Sequence, residues 1–180
     1  KAPKNIPSAS RATGALYTLG IDKQQILLRG ANDFRAVLLD MAAQATRSIC
    51  IYSPTLCHEL FDDDSLSSIA STLARLNKYT RVNVLIFNPH RIIKHGHGIL
   101  NLSRKLPSSV NIRIVHPEIR QVNQEFVLID TQGFVYRQDH EKFEGSANFM
   151  DIAENNRLTR LFSEAWESGI FDPNLRRLQI

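Results

Sequence analysis

The side chains of this chain that could do chemistry are six histidines, a few clustered carboxylates and one polar tetrapeptide. The histidines are His58, His90, His95, His97, His116 and His140. His95 and His97 are two residues apart, so they would not share a face of a helix, and no H-E-x-x-H pattern is present. A G-x-S-x-G elbow is also absent from the sequence. The sequence therefore predicts neither a metal site nor a serine hydrolase.

The polar tetrapeptide stands in a more specific place. Residues 145–148 read Gly-Ser-Ala-Asn and follow a strand-like segment, a hairpin and the acidic residue Asp130. Small polar residues favour turns, so Ser146 and Asn148 could do no more than satisfy backbone groups before the last helix. Alternatively, the same two side chains could line a pocket.

Together with residues 125–130, this tetrapeptide resembles the second half of the phospholipase D active-site pattern, H-x-K-x4-D followed by G-S-x2-N. Its asparagine follows Ser146 after one residue instead of two. Most of residues 26–168 resemble one half of such a protein. The stretches 96–107 and 136–149 look like an uncharacterised bacterial subfamily with degenerate motifs, some of whose members follow an acetyltransferase-like domain. The residue types of the pattern that are present are Asp130, Gly145, Ser146 and Asn148.

The reactive positions of the pattern do not match. Counting back from Asp130 places Asn123 at the histidine position and Glu125 at the lysine position. The resemblance implies that this histidine is the nucleophile in active members, that a second half supplies the acid, and that the lysine and asparagine hold phosphate oxygens. An amide is not an ordinary nucleophile toward phosphorus, and a carboxylate repels a phosphate. Because the segment before Gly145 is also longer than in the family, we expect no phosphodiesterase catalysis.

Two histidines are places to which a nucleophile could have moved. His116 follows the third predicted strand, and His140 lies in a polar insert. An enzyme built on either would use Ser146 and Asn148, and Glu125 would then favour a neutral or cationic substrate. The candidate pocket residues are His116, Asn123, Glu125, Asp130, His140, Ser146 and Asn148.

Hydrophobic periodicity predicts the elements that position these residues. The first predicted helix covers residues 32–45, with Asn32 or Asp33 as its cap. Residues 62–65 open a second helix, whose apolar stripe is Leu66, Ile69, Leu73 and Leu76. A third covers about 90–105 and is interrupted by Gly96 and Gly98, and the last covers 158–166. Predicted strands cover 48–53, 81–87, 110–115 and a hairpin of 125–129 with 134–136. This order predicts an α/β fold, a phospholipase D-like half with a mixed sheet, parallel in its β-α-β-α-β part, and helices on both faces. A ligand would lie beyond the carboxyl ends of the parallel strands, at Ser53, Asn88 and His116.

The composition is that of an ordinary globular domain. Of 180 residues, 43% are hydrophobic and 22% charged, and the net charge of +4 tolerates an anionic partner without demanding one. Residues 1–25 read as a linker and 26–180 as one domain, with a covalently linked domain expected before the linker. No apolar run approaches the roughly 20 residues that span a bilayer, so no membrane partner is expected. Two cysteines without CxxC spacing indicate reduced thiols, which fits a cytoplasmic protein.

Three functions from different classes remain open. The first is a non-catalytic phospholipase D-like module with a binding, regulatory or assembly role in a larger protein, without a cofactor and paired as a homodimer as the resemblance implies. The second is the enzyme with a relocated histidine. The third is a nucleic-acid-binding domain, motivated by the net charge and by Arg157, Arg160, Arg176 and Arg177. The loss of the motif histidine and lysine favours the first.

Overall fold

A computed structural model of the chain describes residues 16–120 and 123–176. Its strands are β1 Ile26–Arg29, β2 Ser48–Tyr52, β3 Arg81–Ile86, β4 Val110–Ile114, β5 Glu125–Ile129, β6 Gly133–Arg137 and β7 Glu144–Asn148. Its helices are α1 Ala31–Ala43, α2 His58–Phe61, α3 Asp64–Leu76, α4 His90–His95, α5 Gly98–Lys105, α6 Ile152–Glu167 and α7 Pro173–Arg176, with a 3-10 turn at Pro117–Ile119.

The strands form one open mixed sheet in the order β1-β7-β6-β5-β2-β3-β4. β2, β3 and β4 are parallel, because the chain returns through helices between them, whereas β5, β6, β7 and β1 pair antiparallel. The predicted α/β class with a mixed sheet and a hairpin is confirmed. In the part of the chain that the structure describes, no helix has the length and apolar character needed to cross a membrane.

Helices cover both faces of the sheet, as predicted. Successive side chains of a strand point to opposite faces, so each strand feeds two cores. Val127 and Ile129 of β5 join the core beneath α1, α3 and α5. Phe126 and Leu128 of the same strand join the core beneath α6.

Residues 16–25, the described part of the predicted linker, lie against the domain. The Leu19 amide donates to Gln44 Oε1 at 2.8 Å, and the Gly20 amide donates to the Phe149 carbonyl at 2.9 Å. The Tyr17 ring lies 5.4 Å from the Phe149 ring between centroids. Residues 1–15 lie outside the described residues.

Several local predictions were wrong. The N-cap of α1 is Gly30, with φ 87°, and neither Asn32 nor Asp33 caps the helix. By contrast, the predicted interruption of the helix of residues 90–105 is confirmed, because the chain turns at Gly96 with φ 76° and forms two helices. Leu76, placed in the buried stripe of α3, is 59% exposed, since it is the last residue of the helix. Strands β1 and β7 were not predicted.

Candidate functional site

The residue at the motif's lysine position is buried in an ion pair. Glu125 begins β5 and lies directly opposite Arg137, the last residue of β6. Arg137 Nε donates to Glu125 Oε2, and Ser53 Oγ donates to Glu125 Oε1. The Arg137 and Glu125 side chains are 1% and 3% exposed. Both carboxylate oxygens are therefore held by donors of the protein itself.

The guanidinium of Arg137 has partners on its other nitrogens too. One terminal nitrogen donates to the Lys142 carbonyl at 3.3 Å, and the other lies 3.4 Å from Cys57 Sγ. The Phe143 ring centroid lies 4.8 Å from the guanidinium carbon, within cation–π range. Each guanidinium nitrogen of Arg137 therefore has a partner within the protein.

Among the described residues, the cavity beside this pair is too small for a substrate. A cavity of about 10 Å³ lies beside it, which is the room of a single water molecule. Its lining is mostly apolar: Phe34, Leu38, Leu60, Phe61, Glu125, Phe126, Val127, Val135 and Arg137. Burial raises the pKa of Glu125, and the contact with Arg137 opposes that rise. The arrangement is a closed internal ion pair.

Two further candidates lie at the same end of β5. The Asn123 carbonyl accepts a hydrogen bond of 2.7 Å from the His140 amide, and Asn123 has φ 79°. His140 is near enough to Glu125 that its charge would lower the pKa of that carboxyl. His140 Nδ1 is buried and has no hydrogen-bond partner among the described residues. Asn123, Glu125 and His140 thus form one group.

Asp130 lies at the other end of β5 and serves the backbone. Its carboxylate accepts from the amides of Thr46, Arg47 and Ser48 at 3.0, 2.8 and 2.9 Å, and from Thr46 Oγ1 at 3.1 Å. Its φ of 54° opens the turn between β5 and β6. This motif residue therefore ties the hairpin to the loop between α1 and β2.

Ser146 and Asn148 lie on the opposite face of the sheet from Glu125. Side chains paired directly across strands share a face, and Ser146 pairs with Tyr136, which pairs with Phe126. Glu125 is the neighbour of Phe126 and so points to the other face. The candidate residues therefore do not form a single pocket.

The Asn148 side chain forms hydrogen bonds with backbone groups, which is the first of the two roles considered for it from the sequence. Its Oδ1 accepts from the Met150 amide at 2.9 Å, and its Nδ2 donates to the Lys23 carbonyl at 3.1 Å. Position 145 requires a glycine, since a Cβ there would lie 2.1 Å from the Tyr136 carbonyl oxygen. The glycine allows β7 to lie beside β6.

His116 belongs to a separate place, after β4. It caps the 3-10 turn by accepting from the Glu118 amide at 3.4 Å, and Glu118 Oε2 lies 4.0 Å from its Nδ1. Its side chain is 42% exposed. Among the described residues, no hydrogen bond joins His116 to another candidate.

A second polar cluster, not predicted from the sequence, lies between α2 and α5. His58 Nε2 and His97 Nδ1 lie 3.6 and 3.9 Å from the Asp62 carboxylate, and the Gly98 amide donates to Asp62 at 2.7 Å. Burial lowers the pKa of His97 to about 4, and Asp62 opposes this shift. Within residues 16–120 and 123–176, no group of three or more histidine, cysteine or acidic side chains is arranged to hold a metal ion.

Both cysteines are free thiols, in agreement with the prediction of reduced cysteines. Burial raises the pKa of Cys50 to about 12 and that of Cys57 to about 11. Because the thiolate is the nucleophile, neither cysteine is suited to covalent catalysis near neutral pH.

Comparison with known proteins yields a family and two similar folds. A family model described as Domain of unknown function (DUF7931) matches residues 30–178. NucT from Helicobacter pylori is 14% identical with a TM-score of 0.61, and the alignment covers 83% of this chain and 99% of that one. TrmBL2, an archaeal chromatin protein described with a novel mode of DNA binding, is 11% identical with a TM-score of 0.59, over 83% of this chain and 54% of that one. The chain thus spans about half the length of TrmBL2, and at these identities the likeness shows the fold alone. No curated protein matches the chain.

Proposed function

The chain belongs to the family of DUF7931 domains, and we propose that it is a non-catalytic, phospholipase D-like module with a binding or assembly role in a larger protein. Two of the residues that match the pattern have structural roles. Asp130 ties the hairpin to a loop, and Gly145 allows two strands to meet. The likeness in fold to NucT and TrmBL2 is compatible with a binding role.

The observation that carries the proposal is the closed pair of Glu125 and Arg137. Phosphoryl transfer depends on cations that face the phosphate and stabilise its developing charge. The guanidinium at this place is instead neutralised by Glu125, and the adjoining cavity holds no more than one water molecule. Ser146 and Asn148 could not complete such a site, because they lie on the other face of the sheet.

Turnover of phosphodiesters by the purified chain tests the proposal. We expect no hydrolysis of bis(p-nitrophenyl) phosphate or of DNA above the buffer rate, and no change on His116→Ala, His140→Ala or Asn148→Ala. Circular dichroism and thermal melting would verify that each variant is folded. Hydrolysis that His140→Ala or His116→Ala abolishes would overturn the proposal and make the relocated-histidine enzyme the correct account.

Two partner predictions extend the proposal. We propose that a domain is covalently linked before residue 1 and that two copies of the chain pair, both from the family resemblance. Light scattering coupled to size-exclusion chromatography over a range of concentrations measures the second. A mass of twice 20.4 kDa is expected, and a constant mass of 20.4 kDa would remove the homodimer.

A further inference from the structure

Positive charge is concentrated in one continuous part of the chain. Residues 65–117 contain eight lysines and arginines and no aspartate or glutamate, a formal charge of +8. The remaining residues hold 14 basic and all 18 acidic residues, a formal charge of −4. The modest net charge of +4 therefore conceals a strongly basic segment. It comprises most of α3, then β3, α4, α5 and β4.

Within this segment, the connection from α3 to β3 presents an aromatic ring among cations. We call residues 75–81 the Tyr79 loop. Tyr79 is 75% exposed, and Arg75 and Lys78 are exposed beside it. Lys78 Nζ lies 5.0 Å from the centroid of the Tyr79 ring. Leu76, 59% exposed, extends the apolar surface.

Hydrogen bonds within the loop hold Tyr79 in this exposed position. Asn77 Oδ1 accepts from the Tyr79 amide at 2.8 Å, and the Asn77 carbonyl accepts from Thr80 Oγ1 at 2.9 Å. Arg81 donates to the carbonyls of Lys78 and Thr80, each at 2.7 Å. A loop backbone fixed in this way loses little further freedom when a ligand stacks on the Tyr79 ring.

The cations of the Tyr79 loop are not neutralised by carboxylates. Arg75 Nε donates to Ser71 Oγ at 3.3 Å, and Arg81 contacts carbonyls alone. No ion pair among the described residues includes Arg75, Lys78 or Arg81. Asp130 lies at the same end of the sheet, but its carboxylate already accepts four hydrogen bonds.

We propose that the Tyr79 loop is a binding surface for single-stranded nucleic acid, with a base stacked on Tyr79 and phosphates contacted by Lys78 and Arg75. An exposed ring close to unpaired cations is the combination that binds single strands, since any unpaired base offers a face for stacking. A duplex keeps its bases stacked on one another and would use the charges alone. We rest this inference on the proposed binding role of the module.

The test is fluorescence anisotropy with a labelled 15-nucleotide oligodeoxythymidine, titrated with the full chain at several salt concentrations. Tyr79→Ala is expected to weaken binding about tenfold, and Tyr79→Phe to retain it, because the ring is the contact. Lys78→Ala is expected to weaken binding and to reduce the slope of log K against log salt by about 0.7. Lys94→Ala is the matched control, since it removes the same charge from an exposed residue of the same basic segment at the other end of β3.

Three results would overturn the inference. The first is no binding of the oligonucleotide at low salt, and the second is equal weakening by Lys78→Ala and Lys94→Ala, which indicates diffuse attraction. The third is tighter binding of duplex DNA or of vesicles containing phosphatidylserine than of the single strand. A denaturing gel of the same samples separates this failure from that of the proposed function. Cleaved oligonucleotide would contradict the non-catalytic module, whereas intact and unbound oligonucleotide would remove only the Tyr79 surface.

Discussion

Two charged regions, the Glu125–Arg137 pair and the Tyr79 loop, lie at opposite ends of the sheet and differ in whether their charges are neutralised within the protein. At the carboxyl end of β2, Glu125 and Arg137 neutralise each other inside the protein. At the amino end of β3, the cations of the Tyr79 loop contact carbonyls, a hydroxyl and the Tyr79 ring, and none of them pairs with a carboxylate. The sequence pattern that resembles phospholipase D leads to the first region, where the two charges satisfy each other. The second region presents cations that no carboxylate of the described residues pairs with.

The largest effect that could break this comparison is expected at Arg137. Arg137→Ala would leave Glu125 buried without a counter-ion, so we expect a loss of about 3–5 kcal/mol in the free energy of unfolding. Urea denaturation measures the change. Arg157→Ala is the matched control, because Arg157 pairs with Glu154 at a half-exposed site and should cost at most about 1 kcal/mol.

The double variant Glu125→Leu with Arg137→Met completes this test. It removes both charges, so it should recover much of the stability that Arg137→Ala loses. Equal losses in the Arg137 and Arg157 single variants would contradict a closed, unsolvated pair at Glu125.

A smaller loss is expected at Asp130, the motif position that serves the backbone. Asp130→Ala removes the acceptor of four hydrogen bonds and places alanine at φ 54°, so we expect a loss of about 2–3 kcal/mol. Asp130→Asn should lose less, because asparagine tolerates this backbone conformation and keeps one oxygen acceptor. Thermal melting compares the two, and a larger loss in Asp130→Asn would refute the structural role.

Acidification is expected to act through His97. Its folded pKa of about 4 lies below the ordinary 6.5, so between these values the unfolded chain binds a proton that the folded chain excludes. Stability from this group is complete above pH 6.5 and falls as the pH drops, by about 2 kcal/mol at pH 5. His97→Asn keeps an acceptor for the Ile99 amide and does not titrate. Urea titrations at pH 7 and pH 5 should show a smaller pH-dependent loss in the variant, and equal losses would exclude His97 as the cause.

The smallest effect on stability is expected in the Tyr79 loop, which sharpens the contrast with the buried pair. Tyr79 is largely exposed, so Tyr79→Ala should change the free energy of unfolding by no more than about 0.5 kcal/mol. The same variant is the one expected to lose oligonucleotide binding. A destabilisation comparable to that of Arg137→Ala would mean that the ring belongs to the core.

The sequence predicts the elements that show hydrophobic periodicity or a recognisable turn. The turn between β5 and β6 predicts their hairpin. The register of this hairpin places Arg137 opposite Glu125, so the ion pair can be predicted from the sequence. Strand β7 was missed because Gly145 and Asn148 are poor strand formers, and its conformation is set by pairing with β6 and with the distant β1.

The burial of the Glu125–Arg137 pair could not be predicted from the sequence either, because it also depends on long-range contacts. Ser53 and Cys57 reach the Glu125–Arg137 pair from 72 and 80 residues away in sequence, and no local pattern encodes such contacts. The asparagine and glutamate at positions 123 and 125, within the resembled pattern, predict that phosphodiester chemistry is absent. Only the fold places Ser146 and Asn148 on the opposite face from Glu125.

A titration of the ¹⁵N-labelled chain with orthovanadate, a mimic of the phosphoryl group, tests the central claim most directly. Because Glu125 and Arg137 satisfy each other and leave room for one water molecule, the amide signals of Asn123, Glu125 and His140 should not move as vanadate is added. A saturable shift centred on those three amides would contradict the account, because it would mean that the site opens to a phosphate.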